Sequence, residues 1–540
     1  MDQESPQIIE KIKLSRLVDA LIASLKSIKA RKKIDELSKL TVSQTVSFFA
    51  ILYERVRNAV EYREDHQVRR AAIERMIRRR LAINPEGKGE AENLLRELLW
   101  ARYYDNGSLS IQDVDKVQEI IDKFQLIRKL IVTGRSNENQ QYLSQFLVDL
   151  LTCEIEEVLS PAKTQESASY NFFIFQVLRN KIKIEGLTED QRDAFFLAGL
   201  EKAYRRSDKS YQRYHLFTTF YKPINEYSET EIKELCTKLP KIFKKIEEII
   251  KSPYVENLTR FVKKQLPPFL VLFEVIKTKF KEINTVLTDK SKLWTDVDII
   301  CREKYQQIGV RLRNLAFKSF IYIFLTKMIF ALILEYPVSQ FVYGEVNMTS
   351  ILINTLFPPV LMLIIVFFFR LPDEENTKKI YQRIIQIIDA ELNYESAMAY
   401  LPKKQKIKKP IMIFGFTVFY SLTFLITFSL IYEGLSYLNF NLVSMFVFVF
   451  FISIVTFFSF RIKQFVNEYR LVEKEAAAAP IFDFFFMPIL SLGKFLSGGL
   501  AKLNFFIFIF DFLIEAPFKF VFEIVEEWIS FVKKRKEEII

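Results

Sequence analysis

Glycine, histidine and cysteine are scarce in this sequence. Its 540 residues include only 13 Gly, 2 His and 3 Cys. So little glycine disfavours folds that depend on glycine-rich turns, such as dinucleotide-binding folds, β-propellers and collagen-like segments. The two histidines, His66 and His215, and the three cysteines lie far apart in sequence. None of them has the spacing of a metal-ligand set.

The three cysteines are Cys153, Cys236 and Cys301. A disulfide framework is typical of small, cysteine-rich secreted chains, and this sequence is of neither kind. All three cysteines also fall in the part of the chain that we place in the cytoplasm. We therefore expect free thiols that pack as small apolar side chains.

Sequence motifs of the common enzyme classes are also missing. The chain has no GxxxxGKS/T phosphate loop, no HExxH zinc motif and no GxSxG nucleophile turn. The Gly87–Gly89 turn lacks the remaining glycine of a dinucleotide loop. The turn at Gly107 would place Arg102 and Tyr104 where a calcium loop needs oxygen ligands. We therefore predict a protein that is not an enzyme and has no metal or other cofactor.

The two parts of the chain differ in polarity. Residues 1–313 hold 55 of the 77 Lys and Arg and 45 of the 65 Asp and Glu, whereas the rest of the chain holds 22 and 20. The whole chain has a net charge of +12. The first part is typical of a basic, water-soluble domain and the second part of a membrane protein.

Four apolar runs in the second part are each long enough to cross a hydrocarbon core of about 30 Å. The third and fourth runs contain no charged residue. The four predicted spans are residues 315–336, 349–369, 411–432 and 440–460.

The positions of Lys and Arg predict the orientation of these spans, because short loops rich in both residues stay in the cytoplasm. Residues 337–348 and 433–439 contain neither, whereas residues 370–410 contain nine. We therefore predict a multi-pass protein of the cell (inner) membrane with a cytoplasmic N-terminus. Four spans place the C-terminus in the cytoplasm as well.

Lys327 lies near the middle of the first predicted span, where an unpaired cation is costly and often functional. If the C-terminal segment inserts deeply, Asp511 or Glu515 is the predicted counter-ion. A shifted span, or an amine that reaches the interface along its four-carbon stem, would instead leave Lys327 without a role.

Pro358 and Pro359 fall inside the second predicted span. Proline lacks the amide donor of the helical hydrogen bond, so this pair predicts a kink. The kink is either a gating hinge or a static bend that neighbouring helices support.

Residues 480–540 are predicted to form an amphipathic helical hairpin at the membrane interface. In this hairpin Ile481–Leu496 pairs with a long helix that follows the Gly498-Gly499 turn. Polar residues between Asn504 and Lys534 fall within an arc of roughly 160° on that helix, and apolar residues fill most of the rest. The polar face is mainly acidic, which favours contact with protein over anionic lipid.

This C-terminal block, with the sequence FFIFIFDFLIEAPFKFVFEIVEEW at 505–528, resembles that of an uncharacterised group of multi-pass membrane proteins from small-genome candidate-phylum bacteria. The resemblance covers about the last 60 residues. It implies a multi-pass membrane protein and carries no activity with it.

Residues 1–313 show helical periodicity almost throughout, which predicts about twelve helices. The pairs Thr188/Gln191 and Ser228/Glu231 fit the capping box that starts a helix. Predicted helix breaks include the Pro267-Pro268 pair. From Leu293 to Tyr336 there is no proline, so one continuous helix can join this part to the first span.

Two basic clusters stand out in this part. The first contains Arg69, Arg70, Arg75, Arg78, Arg79 and Arg80 and is interleaved with acids. It is either a surface that contacts anionic groups or a solvated helix face without a partner. No nucleic-acid-binding motif accompanies it, so we expect no nucleic-acid partner. The second cluster lies at residues 241–264, before the first span. For this cluster, and for the lysines at 403–409 between the second and third spans, the predicted contacts are anionic lipid headgroups. These lipid-contact residues are Lys241, Lys244, Lys245, Lys263, Lys264, Lys403, Lys404, Lys406, Lys408 and Lys409.

The sequence therefore predicts an all-α protein with a large helical cytoplasmic domain, a four-helix transmembrane region and an amphipathic C-terminal hairpin. At this length a single core is near its limit, so we expect two cytoplasmic subdomains. The predicted domains are residues 1–165, 166–314, 315–475 and 480–540. The leading hypothesis is a scaffold or assembly component that contacts membrane lipids and binds a protein partner or a second copy of itself. The alternative is a transporter or channel subunit that uses Lys327, Asp511, Glu515 and the Pro358-Pro359 kink.

Overall fold

In a computed structural model most of the described residues are α-helical, as the periodicity predicts. The structure describes residues 11–30, 39–42, 64–132, 137–344, 346–392, 394, 398–401, 410–471, 479–501, 528 and 532. In these residues the only strands are two segments of three residues each.

The chain forms two compact units. The polar unit comprises Leu14–Lys263, Tyr394–Lys403 and Phe510–Ile540, and the apolar unit comprises Met1–Lys13, Lys264–Asn393 and Lys404–Ile509. The predicted domain boundary at 165/166 falls inside a helix of the polar unit, and the boundary at 314/315 falls inside a helix of the apolar unit.

Helices make up most of the described polar unit. A 3₁₀ turn at Ile224–Glu226 precedes α9, and α10 begins in this unit and ends in the apolar unit. The elements are α1 (Arg16–Lys29), α2 (Asp65–Ile83), α3 (Glu90–Trp100), α4 (Ile111–Ile131), α5 (Asn137–Leu159), α6 (Pro161–Arg179), β1 (Ile182–Ile184), α7 (Glu189–Ala203), α8 (Lys209–Phe220), α9 (Glu229–Lys251), α10 (Pro253–Thr278) and β2 (Ala399–Leu401). The strands β1 and β2 pair in parallel, with Ile182 opposite Ala399.

Side-chain caps start several of these helices. Thr188 and Gln191 form the predicted capping box of α7, and Ser228 and Glu231 form that of α9. In each, the hydroxyl accepts from the third helical amide and the longer side chain accepts from the cap amide. Both predicted helix starts are confirmed.

One hydrophobic core runs through the polar unit from Leu40 to Val255. The rings of Phe146 and Phe243 stack near its centre, with centroids 3.9 Å apart. At Gly199, α7 crosses α10 so closely that an added Cβ would lie 2.9 Å from the Leu258 Cβ. Glycine is therefore required at this crossing.

Long helices dominate the apolar unit. Short 3₁₀ turns lie at Phe280–Glu282 and Asn467–Tyr469, and a π-helical turn lies at Ala331–Glu335. The α-helices are α11 (Ile283–Thr288), α12 (Lys290–Phe330), α13 (Tyr336–Tyr343), α14 (Met348–Phe367), α15 (Glu374–Ile388), α16 (Pro410–Tyr437), α17 (Leu442–Val466) and α18 (Ala479–Ala501).

Four of these helices are long and apolar enough to cross a membrane, as predicted. They are Lys290–Tyr343, Met348–Phe367, Ile411–Tyr437 and Leu442–Phe460. The first contains α12, the π turn and α13 in one rod of 54 residues. Its polar part, Lys290–Arg313, extends about 36 Å beyond the apolar part at 1.5 Å per residue. We call this segment the stalk.

The four spans pack around two apolar clusters. One cluster joins Leu312, Val366 and Ile462 at the end that we call the stalk end. The other joins Leu435, Phe440 and Phe448 near the short turn at 438–441, and we call this end of the spans the turn end.

The helix break predicted at Pro267 and Pro268 is wrong, because α10 continues through both residues. The two prolines remove amide donors only to Lys263 and Lys264, and the rest of the helix keeps its hydrogen bonds. Most of the predicted C-terminal hairpin lies outside the described residues, which include Ala479–Ala501, Trp528 and Val532.

Replacing Gly199 with Ala should lower the free energy of unfolding by about 1–3 kcal/mol, because the new methyl group overlaps α10. Thermal unfolding of the purified chain measures this loss. Gly434→Ala is the matched control, since no atom lies within 4 Å of a Cβ added there. A Gly199→Ala variant as stable as the control would contradict the close crossing.

Candidate functional site

Lys327 and Glu335 form an ion pair inside the apolar helices. Both side chains are completely buried, and Lys327 Nζ lies 3.7 Å from Glu335 Oε2. The same amine lies 4.5 Å from the centroid of the Phe451 ring on α17. The cation is therefore balanced by a carboxylate and by the negative face of an aromatic ring.

The π turn at Ala331–Glu335 explains how two residues of one rod meet. Eight residues along an α-helix place two side chains about 80° apart around its axis. A π turn inserts one extra residue, which reduces this angle to about 20°. Lys327 and Glu335 therefore lie on the same face of the first span.

Asn354 connects this pair to two other helices. Its amide nitrogen donates to Glu335 Oε1 at 2.7 Å and to the carbonyl oxygen of Ser444 at 3.0 Å. Asn354 lies on α14 and Ser444 on α17, and both are buried. One polar link thus joins the first, second and fourth spans. We call Lys327, Glu335, Asn354 and Phe451 the polar link.

The predicted hinge residues lie one turn from this link. Pro358 and Pro359 are buried inside α14. Because proline has no amide hydrogen, the carbonyl groups of Asn354 and Thr355 lack their usual helical donors. Two backbone acceptors are thus freed beside the polar link.

Glu335 was not among the predicted site residues. We expected the first span to end at Tyr336, which placed Glu335 at the membrane boundary. The helix instead continues to Tyr343. Glu335 is the one acidic residue between Lys327 and Tyr343, and this was the signal available in the sequence. The predicted counter-ions Asp511 and Glu515 lie outside the described residues.

The polar link holds charge but is closed to solvent. Within the described part of the chain, Lys327 Nζ, Glu335 Oε2 and Asn354 Oδ1 have no hydrogen-bond partner. The ion pair is thus held by charge attraction and not by a hydrogen bond. Such a pair can lock helices together, or exchange a proton if water reaches it.

Cations that face solvent lie instead at the stalk end of the spans. Arg313, Lys318, Arg370 and Lys463 are exposed and form no ion pair with any residue that the structure describes. The predicted lipid-contact residues Lys241, Lys244, Lys245, Lys263 and Lys264 are exposed too. Lys403, Lys404, Lys406, Lys408 and Lys409 lie outside the described ranges.

The polar unit also buries many charges, including acids that the sequence does not single out. Glu156 on α5 accepts from Arg69 Nε at 2.7 Å and from the Tyr211 hydroxyl at 2.8 Å. Arg213 on α8 pairs with Asp149 at 2.5 Å and with Glu247 at 2.8 Å. These bonds tie α2, α5, α8 and α9 together.

His215 lies between two carboxylates in this network. Its Nδ1 is 2.8 Å from Glu201 Oε2, and its Nε2 is 2.8 Å from Glu157 Oε1. Burial alone would lower the pKa of His215, but attraction to Glu201 and Glu157 outweighs it and raises this pKa. Burial alone would raise the pKa of Glu201, but the neighbouring charges of His215 and Arg205 lower the pKa of this carboxyl group to about 2.

Most of the first basic cluster is part of this internal network, although Arg78 is exposed and pairs with Glu74 on the same helix. Arg69 and Arg70 are buried and pair with Glu156 and Asp208. Arg79 and Arg80 both pair with the buried carboxylate of Glu97. A row of arginines on one helix gives no sign in the sequence of the acids that face it from other helices.

The three cysteines are free and buried, as predicted. Burial raises the pKa of Cys153 well above its usual value, so this thiol stays protonated and unreactive. Among the described residues, no group of three or more His, Cys, Asp or Glu side chains is placed to hold a metal ion.

Comparisons with family models, with curated proteins and with solved structures find no match to this chain. The resemblance of its last residues to a group of bacterial membrane proteins therefore stays a prediction.

Removing one member of the ion pair should destabilise the membrane region by about 3–5 kcal/mol, because the other charge is left buried and alone. Lys327→Met and Glu335→Gln should each lower the unfolding temperature in detergent. The double variant should recover most of the loss.

Lys318→Met, which removes an exposed cation from the same helix, is the matched control and should behave like the wild type. A double variant no more stable than the single variants would show that the two residues do not interact.

His215→Gln should destabilise the polar unit more at pH 5.5 than at pH 9. The raised pKa means that His215 stabilises the fold fully below about 6.5 and loses this effect as the pH rises through its folded pKa. Chemical unfolding at both pH values measures the difference.

His66→Gln should show the opposite trend, because burial lowers the pKa of His66 to about 4. In the wild type this group costs stability as the pH falls below about 6.5. Equal pH dependence of the two variants would contradict the assignment.

Proposed function

We propose that this protein is a non-enzymatic, membrane-anchored scaffold or assembly component. It binds a protein partner through its helical polar unit on the cytoplasmic side of the cell (inner) membrane. The rigid packing of the helices supports this proposal. Within each unit, buried charged residues join neighbouring helices, as expected of a protein that holds its shape while a partner binds.

The stalk is the observation that carries the proposal. It continues without interruption into the first span over the 54 residues of Lys290–Tyr343. Neighbouring elements brace it: Tyr305 accepts a hydrogen bond from Asn376 at 2.7 Å, and Trp294 packs edge-to-face on Tyr381 at 5.1 Å. A braced rod of this length is a rigid helical element beside the membrane, as expected of a scaffold.

The distribution of cations supports the proposed orientation. Arg313, Lys318, Arg370 and Lys463 cluster at the stalk end, and the short turns at the opposite end contain no Lys or Arg. This asymmetry favours a cytoplasmic stalk end.

Transport is the second candidate function, and the polar link favours it. The Lys327 amine has no hydrogen-bond acceptor among the described residues, and Pro358 and Pro359 free two backbone carbonyls nearby. Buried ionisable groups of this kind mark proton or ion pathways in other membrane proteins. Four spans enclose little volume, so this function would require an oligomer.

The scaffold proposal predicts a stable complex with another protein at a defined stoichiometry. Native purification of the tagged chain in mild detergent, followed by mass measurement, tests this expectation. The neutral Lys327→Met/Glu335→Gln variant should retain the same complex, because the polar link has only a structural role.

A homo-oligomer without any partner would contradict the scaffold proposal. Ion flux in proteoliposomes that the double variant abolishes would favour transport instead. Lys318→Met is the control in both assays.

A further inference from the structure

The last described helix, α18, packs along the fourth span. Its contact with α17 is the most extensive between any two helices of the described residues. A Cβ added at Gly493 would overlap the carbonyl oxygen of Ser453 and lie 2.8 Å from the Phe457 Cβ. The two backbones therefore touch at Gly493, and only glycine permits this approach.

This contact lies at the centre of the fourth span. Ser453 is 11 residues from Leu442 and 13 residues from Val466, the two ends of α17. At 1.5 Å per residue it is about 17 Å from one end and about 20 Å from the other. Gly493 is therefore near the middle of the hydrocarbon core.

A contact with the third span gives the same depth independently. The Tyr420 hydroxyl lies 3.0 Å from the Ser491 hydroxyl. Tyr420 is ten residues into α16, about 15 Å from its stalk end. Ser491 and Gly493 thus lie at mid-depth beside two different spans.

The direction of α18 follows from the reach of the chain. The Leu471 amide donates to Asn376 at 2.8 Å, and Asn376 donates to Tyr305 on the stalk, so Leu471 lies at the stalk end. Eight residues separate it from Ala479 and span at most about 29 Å.

If α18 ran parallel to α17, Ala479 would lie about 21 Å beyond Gly493 toward the turn end. Leu471 lies more than about 20 Å from Ser453 in the other direction. Eight residues cannot cover the sum of these distances. Ala479 is therefore at the stalk end, and α18 runs toward the turn end.

We propose that Ala479–Ala501 crosses the membrane as a fifth span, seated against the third and fourth. Its 23 residues extend about 35 Å, enough for a core of about 30 Å. Ala501 then lies at the turn end. This arrangement replaces the interfacial position that the sequence predicts for Ile481–Leu496. Five crossings also place the end of the fifth span on the side opposite the N-terminus, so the predicted cytoplasmic C-terminus, which assumed four crossings, no longer follows.

Asp483, Pro488 and Lys494 interrupt the apolar run, which is why the sequence alone does not identify this span. A lysine at the centre of a membrane helix costs about 2.5–3.5 kcal/mol. Its stem leans toward the helix N-terminus, here the stalk end, which brings the amine closer to the headgroups. Packing of Gly493 on Ser453 then holds the helix in place, as small residues do between membrane helices.

Cysteine labelling of the full-length chain tests this proposal. Single cysteines replace Glu475 before the helix and Lys502 after it, with Lys378→Cys and Leu438→Cys as references for the stalk end and the turn end. The three native cysteines are buried and set the background. A membrane-impermeant maleimide is applied to right-side-out and inside-out vesicles.

The proposal expects Glu475→Cys to be labelled from the same side as Lys378→Cys, and Lys502→Cys from the same side as Leu438→Cys. Labelling of Lys502→Cys from the side of Lys378→Cys, or from neither side, would overturn it.

A second variant tests the contact that holds the helix. Gly493→Leu, combined with Lys502→Cys, should reduce labelling from the turn end several-fold. Gly434→Leu is the matched control, because a Cβ there has no neighbour within 4 Å, and it should leave labelling unchanged. Equal labelling in both variants would overturn the role given to Gly493.

Discussion

A buried charge must find its partner within the protein, and this constraint shapes both units. In the apolar unit, Lys327 and Glu335 lie where water does not solvate them, so their charges balance each other. The π turn aligns the two residues, and Asn354 carries the link to two further spans. If either residue were replaced by a neutral one, the other would remain as a lone buried charge in the first span.

The polar unit applies the same constraint many times. Arginines on α2 and α8 reach carboxylates on α5 and α9, and His215 lies between Glu157 and Glu201. Removing one partner from such a network strands the other, so the helices cannot easily change their packing. This resistance to rearrangement suits a protein that positions partners and is the physical basis of the proposed scaffold function.

Local patterns in the sequence predicted much of this fold. Long apolar runs identified the four spans, and the residue pairs at Thr188 and Ser228 identified two helix starts. The sequence did not reveal that Glu335 meets Lys327, because a π turn changes the helical phase and leaves no local signature. It also did not reveal which acids face Arg69 or Arg80, because those contacts join residues far apart in the chain. The break predicted at Pro267 was wrong because a proline pair removes only two hydrogen bonds from a long helix.

We infer that the polar link is a closed structural lock. Hydrogen exchange of the full-length protein in lipid nanodiscs, followed by mass spectrometry, tests this inference. A lock shielded from water predicts that peptides covering Lys327, Glu335 and Asn354 exchange as slowly as the uncharged centre of the fourth span. Rapid exchange confined to these peptides would mean that water reaches the ion pair, and it would contradict the account in favour of a conduction pathway.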